Sequence, residues 1–383
     1  MSTRHRLRLC HGGMEGRALA TFEMFLKHVE NFDCELVEEA GADIAVIDTD
    51  NYLGPYLVQA HRMLFPKRPM IHVSLKGELA RDALSVWIEK PVSLEKFAHG
   101  LAQALAAGRA PQHDAKASGS GTDKEAAGRR ASAIVQDQAD TRLSNLYVGS
   151  LPDLDPADAG MMERAYYQPG KYLQGIVEEA CRIAESTDAA ANIVHGEERI
   201  MTIRADGQAY ETSLDRRSLR SLGLIPLSKA DFRVVTVNTG ADANRAWRAI
   251  APLRWELALW AARGRIPTGV PIRAPIRLVR WPNLTRLGLP PDAMRIAGLW
   301  ASQARSMPET ATLLGIPQRH VFAFFSACRS IAAVHCEAVP VAPPTPATAA
   351  PEAAPAPKRR GLFNRILGKL LGNQRADTAQ DHP

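Results

Sequence analysis

Cysteine is scarce in this 383-residue sequence: Cys10, Cys34, Cys181, Cys328 and Cys336 are scattered, odd in number and form no C-x-x-C pair. That excludes a disulfide framework or zinc knuckle and leaves buried free thiols as the reading. His335–Cys336 is an isolated dipeptide, too few ligands for a tetrahedral metal site. No run of about 18 apolar residues occurs, so no helix is expected to span a bilayer. The N-terminal MSTRHRLRLC is basic but has no apolar stretch of the kind a secretory signal needs, and a cytoplasmic location is expected. Also missing are G-x-S-x-G, a P-loop, H-E-x-x-H and the dinucleotide-binding glycine fingerprint. Eleven dispersed histidines suggest no acid–base pair, so neither an enzymatic activity nor a cofactor is expected.

The net charge of +6 is local. Residues 358–375 carry six basic residues and no acid, and without them 41 basic residues face 41 acidic ones. From Arg245 to Arg305 eleven arginines stand against Glu256 and Asp292 alone. The basic character is therefore a tail and one arginine-rich segment.

Two composition shifts divide the chain. Residues 108–140 are rich in Gly, Ser, Ala and charge and lack apolar periodicity, which marks a flexible linker. A Pro/Ala tract over 337–357 reads as a semi-rigid spacer. Ahead of the first linker, residues 1–107 alternate short apolar runs (7–10, 34–38, 43–48, 69–74, 85–89) with helical patterns (15–29, 55–65, 93–108). Buried β-branched strands between amphipathic helices predict a parallel α/β sheet. The stretch 141–336 reads as an α+β domain, with helices at 171–186 and around 243–264 and strand-like runs between them.

In a doubly wound sheet the strand C-termini converge on one edge, where ligands bind. Asp43 and Asp48 bracket the third apolar run, Ser74 ends the fourth, and Lys90 follows the fifth, ahead of a proline. With D-I-A-V-I-D, P-M-I-H-V-S and E-K-P at these places, residues 5–107 resemble a response-regulator receiver domain. The resemblance implies a flavodoxin-like fold with Asp48 as phosphoryl acceptor, Ser74 as switch hydroxyl and Lys90 as the site lysine. It also implies an acidic pair after the first strand to hold Mg²⁺, and there this sequence has Cys10, His11, Gly12 and Gly13. Mg²⁺ wants oxygen ligands and usually carboxylates. Only Glu15, at a helix start, lies nearby. About four residues separate the second and third strands, too few for a crossover helix. A degenerate pseudo-receiver that is not phosphorylated is the expectation.

Residues 291–334 read as helix, short helix, a turn at Leu314–Gly315–Ile316 and a helix from near Pro317, a helix-turn-helix-like pattern. As a DNA reader it would place Gln318 and Arg319 at the start of the recognition helix. Val321, Phe322, Phe324 and Phe325 instead point to burial on two sides. In IRLVRWPNLTRL, Arg277, Arg280 and Trp281 are candidates for stacking on a second-messenger nucleotide, against the plainer reading of a strand covering the core. Finally, GLFNRILGKLLG (361–372) puts Leu362, Phe363, Ile366, Leu367, Leu370 and Leu371 on one stripe opposite Arg365 and Lys369. That is a basic amphipathic helix suited to a partner's groove, or to an anionic inner-membrane surface in a peripheral position.

Together these features point to a non-enzymatic bacterial-type signalling adaptor working by protein–protein docking. The alternatives are a DNA-binding response regulator using 291–334 and a nucleotide second-messenger effector.

Overall fold

The computed structural model describes residues 5–76, 82–108, 147–155, 158–228, 230–237 and 246–336. Both expected linkers and the tail with Leu362, Phe363, Ile366, Leu367, Leu370 and Leu371 lie outside the described residues, apart from Gly108, which closes a helix.

The first elements are β1 (His5–Gly12), α1 (Gly16–His28), β2 (Phe32–Leu36), β3 (Ile44–Asp48), α2 (Gly54–Leu64), β4 (Met70–Ser74), β5 (Ser85–Glu89) and α3 (Leu94–Gly108). The five strands form one parallel sheet in the order β2-β1-β3-β4-β5, which is compatible with a flavodoxin-like fold. Every residue of IAVID in β3 and MIHVS in β4 is buried, as central parallel strands covered on both faces require. The period of two then sorts the side chains. Leu9, Ile44, Val46, Ile71 and Val73 pack with Phe22 and Leu26 of α1 and Phe97 and Leu101 of α3. Cys10, Ala45, Ile47 and Met70 belong to the core on the opposite face, with Leu57 and Ala60 of α2. Between β2 and β3 there is a single 3₁₀ turn, Glu39–Gly41, where a crossover helix would otherwise lie.

The remaining elements are α4 (Ala159–Arg164), β6 (Tyr166–Tyr167), α5 (Leu173–Thr187), β7 (Ala190–His195), β8 (Glu198–Ile203), β9 (Ala209–Glu211), α6 (Arg216–Leu224), β10 (Phe232–Val237), β11 (Arg248–Ala249), α7 (Ile250–Ala262), β12 (Ile266–Pro267), β13 (Ile276–Leu278), α8 (Ala293–Ser302), α9 (Met307–Leu314), α10 (Gln318–Ser330) and β14 (Val334–Cys336). An antiparallel sheet in the order β10-β7-β8-β9-β11 makes this an α+β region. The extended stretch expected beyond Arg277 is shorter than its sequence pattern, because the ladder to β14 ends at Leu278. α7 is buried on every side from Leu257 to Ala262, and Leu253 and Trp255 are buried too, so it forms the axis of this half. α10 packs on α7 and meets α8 and α9, and residues Val321 to Cys328 are buried without a break.

α2 packs on α6, and Leu219, Leu222 and Leu224 share one hydrophobic cluster with Ala45, Ile47 and Met70. The sheet face that lacks its own second helix is thus closed by the α+β half. Polar groups cross the same seam. Arg220 pairs with Glu39, and the Tyr56 hydroxyl lies 3.0 Å from His195 Nε2. Among the described residues no helix is long and apolar enough to cross a membrane.

Candidate functional site

The C-terminal edge of the parallel sheet brings Asp48, Ser74 and Lys90 together. Asp48 is the last residue of β3 and Ser74 the last of β4. Lys90 follows β5, and its backbone N–H donates to the Ser74 carbonyl at 2.9 Å. Its ammonium reaches back across the edge and donates to both Asp48 oxygens, at 2.7 and 2.8 Å.

A residue that the sequence reading passed over completes the cluster. Asp50 lies 2.9 Å from Lys90 Nζ, accepts the Ser74 hydroxyl at 2.6 Å and accepts the Leu75 N–H at 2.9 Å. Its own N–H donates to Asp48 Oδ1 at 3.1 Å. The Ser74 hydroxyl therefore faces Asp50, while Asp48 is held by Lys90. Burial works against ionisation of Asp50, but the bonds from Ser74, Lys90 and Leu75 outweigh it and hold the carboxyl below the usual aspartate range. At Lys90 the balance is the mirror image: partial burial disfavours its charge, and the two carboxylates overcome this and raise its pKa. The signal available in sequence was the second acid of D-T-D, two residues past the strand end.

The end of β1 supplies no acid. Gly13 has φ +72°, and a Cβ there would stand 2.7 Å from the Asp48 carbonyl oxygen, so this turn must be glycine to pass so close. Burial raises the Cys10 thiol and lowers the His11 imidazole, whose Nδ1 is buried without a partner. Glu15 is the N-cap position of α1, and its side chain makes no capping bond. With a thiol, an imidazole and two glycines at this position, and both nearby aspartates engaged by Lys90, the residues present do not fit a Mg²⁺ ion. Among the described residues no group of three His, Cys, Asp or Glu is placed to hold a metal. Beside the cluster a cavity of about 460 Å³ opens between α1, α3 and the sheet. Phe22, Phe25, Phe97 and Val46 line it, with Asp48 and Lys90 at its polar end.

The other candidates lie elsewhere and apart from this edge. Gln318 donates its N–H to Asp153 at 2.8 Å and accepts the Leu154 N–H at 3.2 Å, tying the start of α10 to the 153–154 loop. Arg319 is half-buried against Gly264, and His320 lies 2.9 Å from Asp292. In β13, Ile276 and Leu278 are buried and Arg277 points outward, as the alternation predicts. Arg280 donates to the Ile331 carbonyl at the end of α10, a favourable place for a cation. Trp281 is 51% exposed. Comparisons of the chain with protein-family models, with curated proteins and with solved structures found no match.

Proposed function

We propose that the chain is a non-enzymatic regulatory adaptor that acts by protein–protein docking, with a receiver-like sheet edge held in one state instead of being switched by phosphorylation. The observation that carries this is the Lys90 clamp on Asp48 and Asp50, beside a β1 end that offers Cys10 and His11 where a phosphoryl-transfer site needs a cation's ligands. Charge developing on a phosphoryl group would lack its main stabiliser there. The basic apolar pattern at 361–372 supports recruitment of a protein partner by the tail. α10 is buried from Val321 to Cys328, and at its start Gln318 is bonded to the 153–154 loop and His320 lies against Asp292, so duplex binding is not part of this reading.

The test is incubation with acetyl phosphate and Mg²⁺, followed by intact-mass measurement. The wild-type chain and Asp48→Asn should both stay unlabelled. A stoichiometric phosphoryl adduct that disappears in Asp48→Asn would overturn the reading.

A further inference from the structure

The turn that ends α7 reads Arg263-Gly264-Arg265, and its geometry is unusual for a basic segment. Arg263 occupies the helix C-cap at φ 45°, and Gly264 follows at φ 75°. Arg263 is half-buried, and its Nε, itself inaccessible, finds no hydrogen-bond partner. Among the described residues neither arginine makes an ion pair with a carboxylate. Burial lowers the pKa of Arg263, and the neighbouring Arg265 charge lowers it further. A half-buried cation with no carboxylate beside it is open to pairing with an anion.

Arg265 is aimed but not neutralised. Its Nε donates to the Ala262 carbonyl at 2.9 Å, and Nη2 donates to the Ala261 carbonyl at 2.7 Å and to the Tyr172 hydroxyl at 3.1 Å. These bonds cap the negative end of α7, so its carbonyls do not repel an anion arriving at the turn. The guanidinium also lies 5.4 Å from the Tyr167 ring and 5.8 Å from the Tyr172 ring, which fixes its plane.

Two cavities adjoin across this guanidinium and share Tyr172, Pro226 and Arg265 in their walls. One, of about 480 Å³, is lined by Arg263 and Ser150 and, among the described residues, by no acidic one. The other, of about 770 Å³, carries Tyr166 and Lys171, with Glu163 as its one carboxylate among the described residues. Both lie within the size range of small-molecule sites, roughly 300–1,000 Å³. Guanidinium forks match phosphate oxygens, and tyrosine rings offer a face to a planar ring.

We infer that this double cleft binds a phosphorylated small molecule with an aromatic ring, of the nucleotide class. The phosphate sits in the smaller cavity against Arg263, Arg265 and Ser150. The ring occupies the larger one beside Tyr166, with Lys171 at its mouth.

The test is titration calorimetry on the full chain with AMP, GMP and their di- and triphosphates, with adenosine and inorganic phosphate as the two half-ligands. At least one nucleotide should bind, more tightly than inorganic phosphate by tenfold or more, with affinity falling as salt rises. Adenosine alone should not bind. Arg263→Gln should weaken that nucleotide at least tenfold. Lys171→Glu, an exposed position, should weaken it several-fold and gives the answer if Arg263→Gln does not fold. No binding by any nucleotide up to millimolar concentration overturns the proposal. So does binding that both variants leave unchanged, or inorganic phosphate binding as tightly as every nucleotide.

Discussion

The Glu39–Arg220 pair joins the two halves of the fold across 181 positions of sequence, and its energetics can be worked through. Both side chains are nearly inaccessible, 10% exposed for Glu39 and 18% for Arg220. Removing one partner strands the other charge in a dry seam, and losses of about 3–5 kcal/mol are typical of that change. Arg220→Met should therefore destabilise the chain by about that amount, a large share of the 5–15 kcal/mol usual for a folded domain. Glu39→Gln should cost a similar amount by leaving Arg220 unpaired. His61 Nδ1 lies 3.1 Å from Glu39 Oε1, and a glutamine oxygen still accepts that bond. Arg68 donates to the Glu39 backbone carbonyl, a contact that survives both changes. The double variant Glu39→Gln/Arg220→Met contains no stranded charge and should lie within about 1 kcal/mol of wild type, since a buried pair replaced as a unit is often near neutral. Urea unfolding followed by tryptophan fluorescence measures all four corners of the cycle. If the two single losses simply add in the double variant, to within about 0.5 kcal/mol, the pair is not coupled and the reasoning fails.

Two further outcomes can be measured. Burial, with Arg68, Arg62 and Arg217 nearby, lowers the His61 pKa to about 3, and burial with Arg62 lowers that of His72 to about 4. In the unfolded chain both titrate near 6.5. Above that pH both states are neutral and the histidines contribute no pH dependence. Below it the unfolded state takes up protons that the folded state refuses, so stability falls as pH drops from 6.5 toward 4. The slope is at most about 1.4 kcal/mol per pH unit for each histidine. Urea midpoints between pH 7 and 5 should decline, and His72→Gln should reduce the slope; a flat profile contradicts both assignments. Separately, Phe324 is fully buried between Trp255 and Trp300, with ring centroids 5.9 and 5.7 Å away. Phe324→Ala should cost about 3–5 kcal/mol in urea unfolding, and a loss below about 1 kcal/mol would show that α10 is not packed as described.

The parallel sheet was legible because its signal is local. IAVID and MIHVS are short, mainly apolar runs, and each ends on the residue that reaches the site, Asp48 or Ser74. Phe22 with Leu26 and Phe97 with Leu101 mark the helices that cover one face by their four-residue spacing. What escaped was set by distance or by brevity. β6, β11 and β12 have two residues each and β9 and β14 three, too short for any periodic pattern to register. Asp50 escaped because a loop's direction decides which of two aspartates meets Ser74. Arg263 and Arg265 read as two of eleven arginines until the turn of α7 placed them together at two adjoining cavities.

The short β2–β3 connection shows how a local departure acquires a distant consequence. Its few residues were legible as a missing crossover helix, a defect when the first 107 residues are taken alone. A parallel sheet needs cover on both faces, so losing that helix would leave Cys10, Ala45, Ile47 and Met70 beside water. In the fold, Leu219, Leu222 and Leu224 of α6 share their core instead, and the turn that replaced the helix supplies Glu39 to the seam. The absent helix and the interface are thus one structural fact. A sheet whose second face belongs to another part of the chain cannot use that face for reversible docking. Among the described residues, the cavity beside α1 and α3 is instead lined by this half alone.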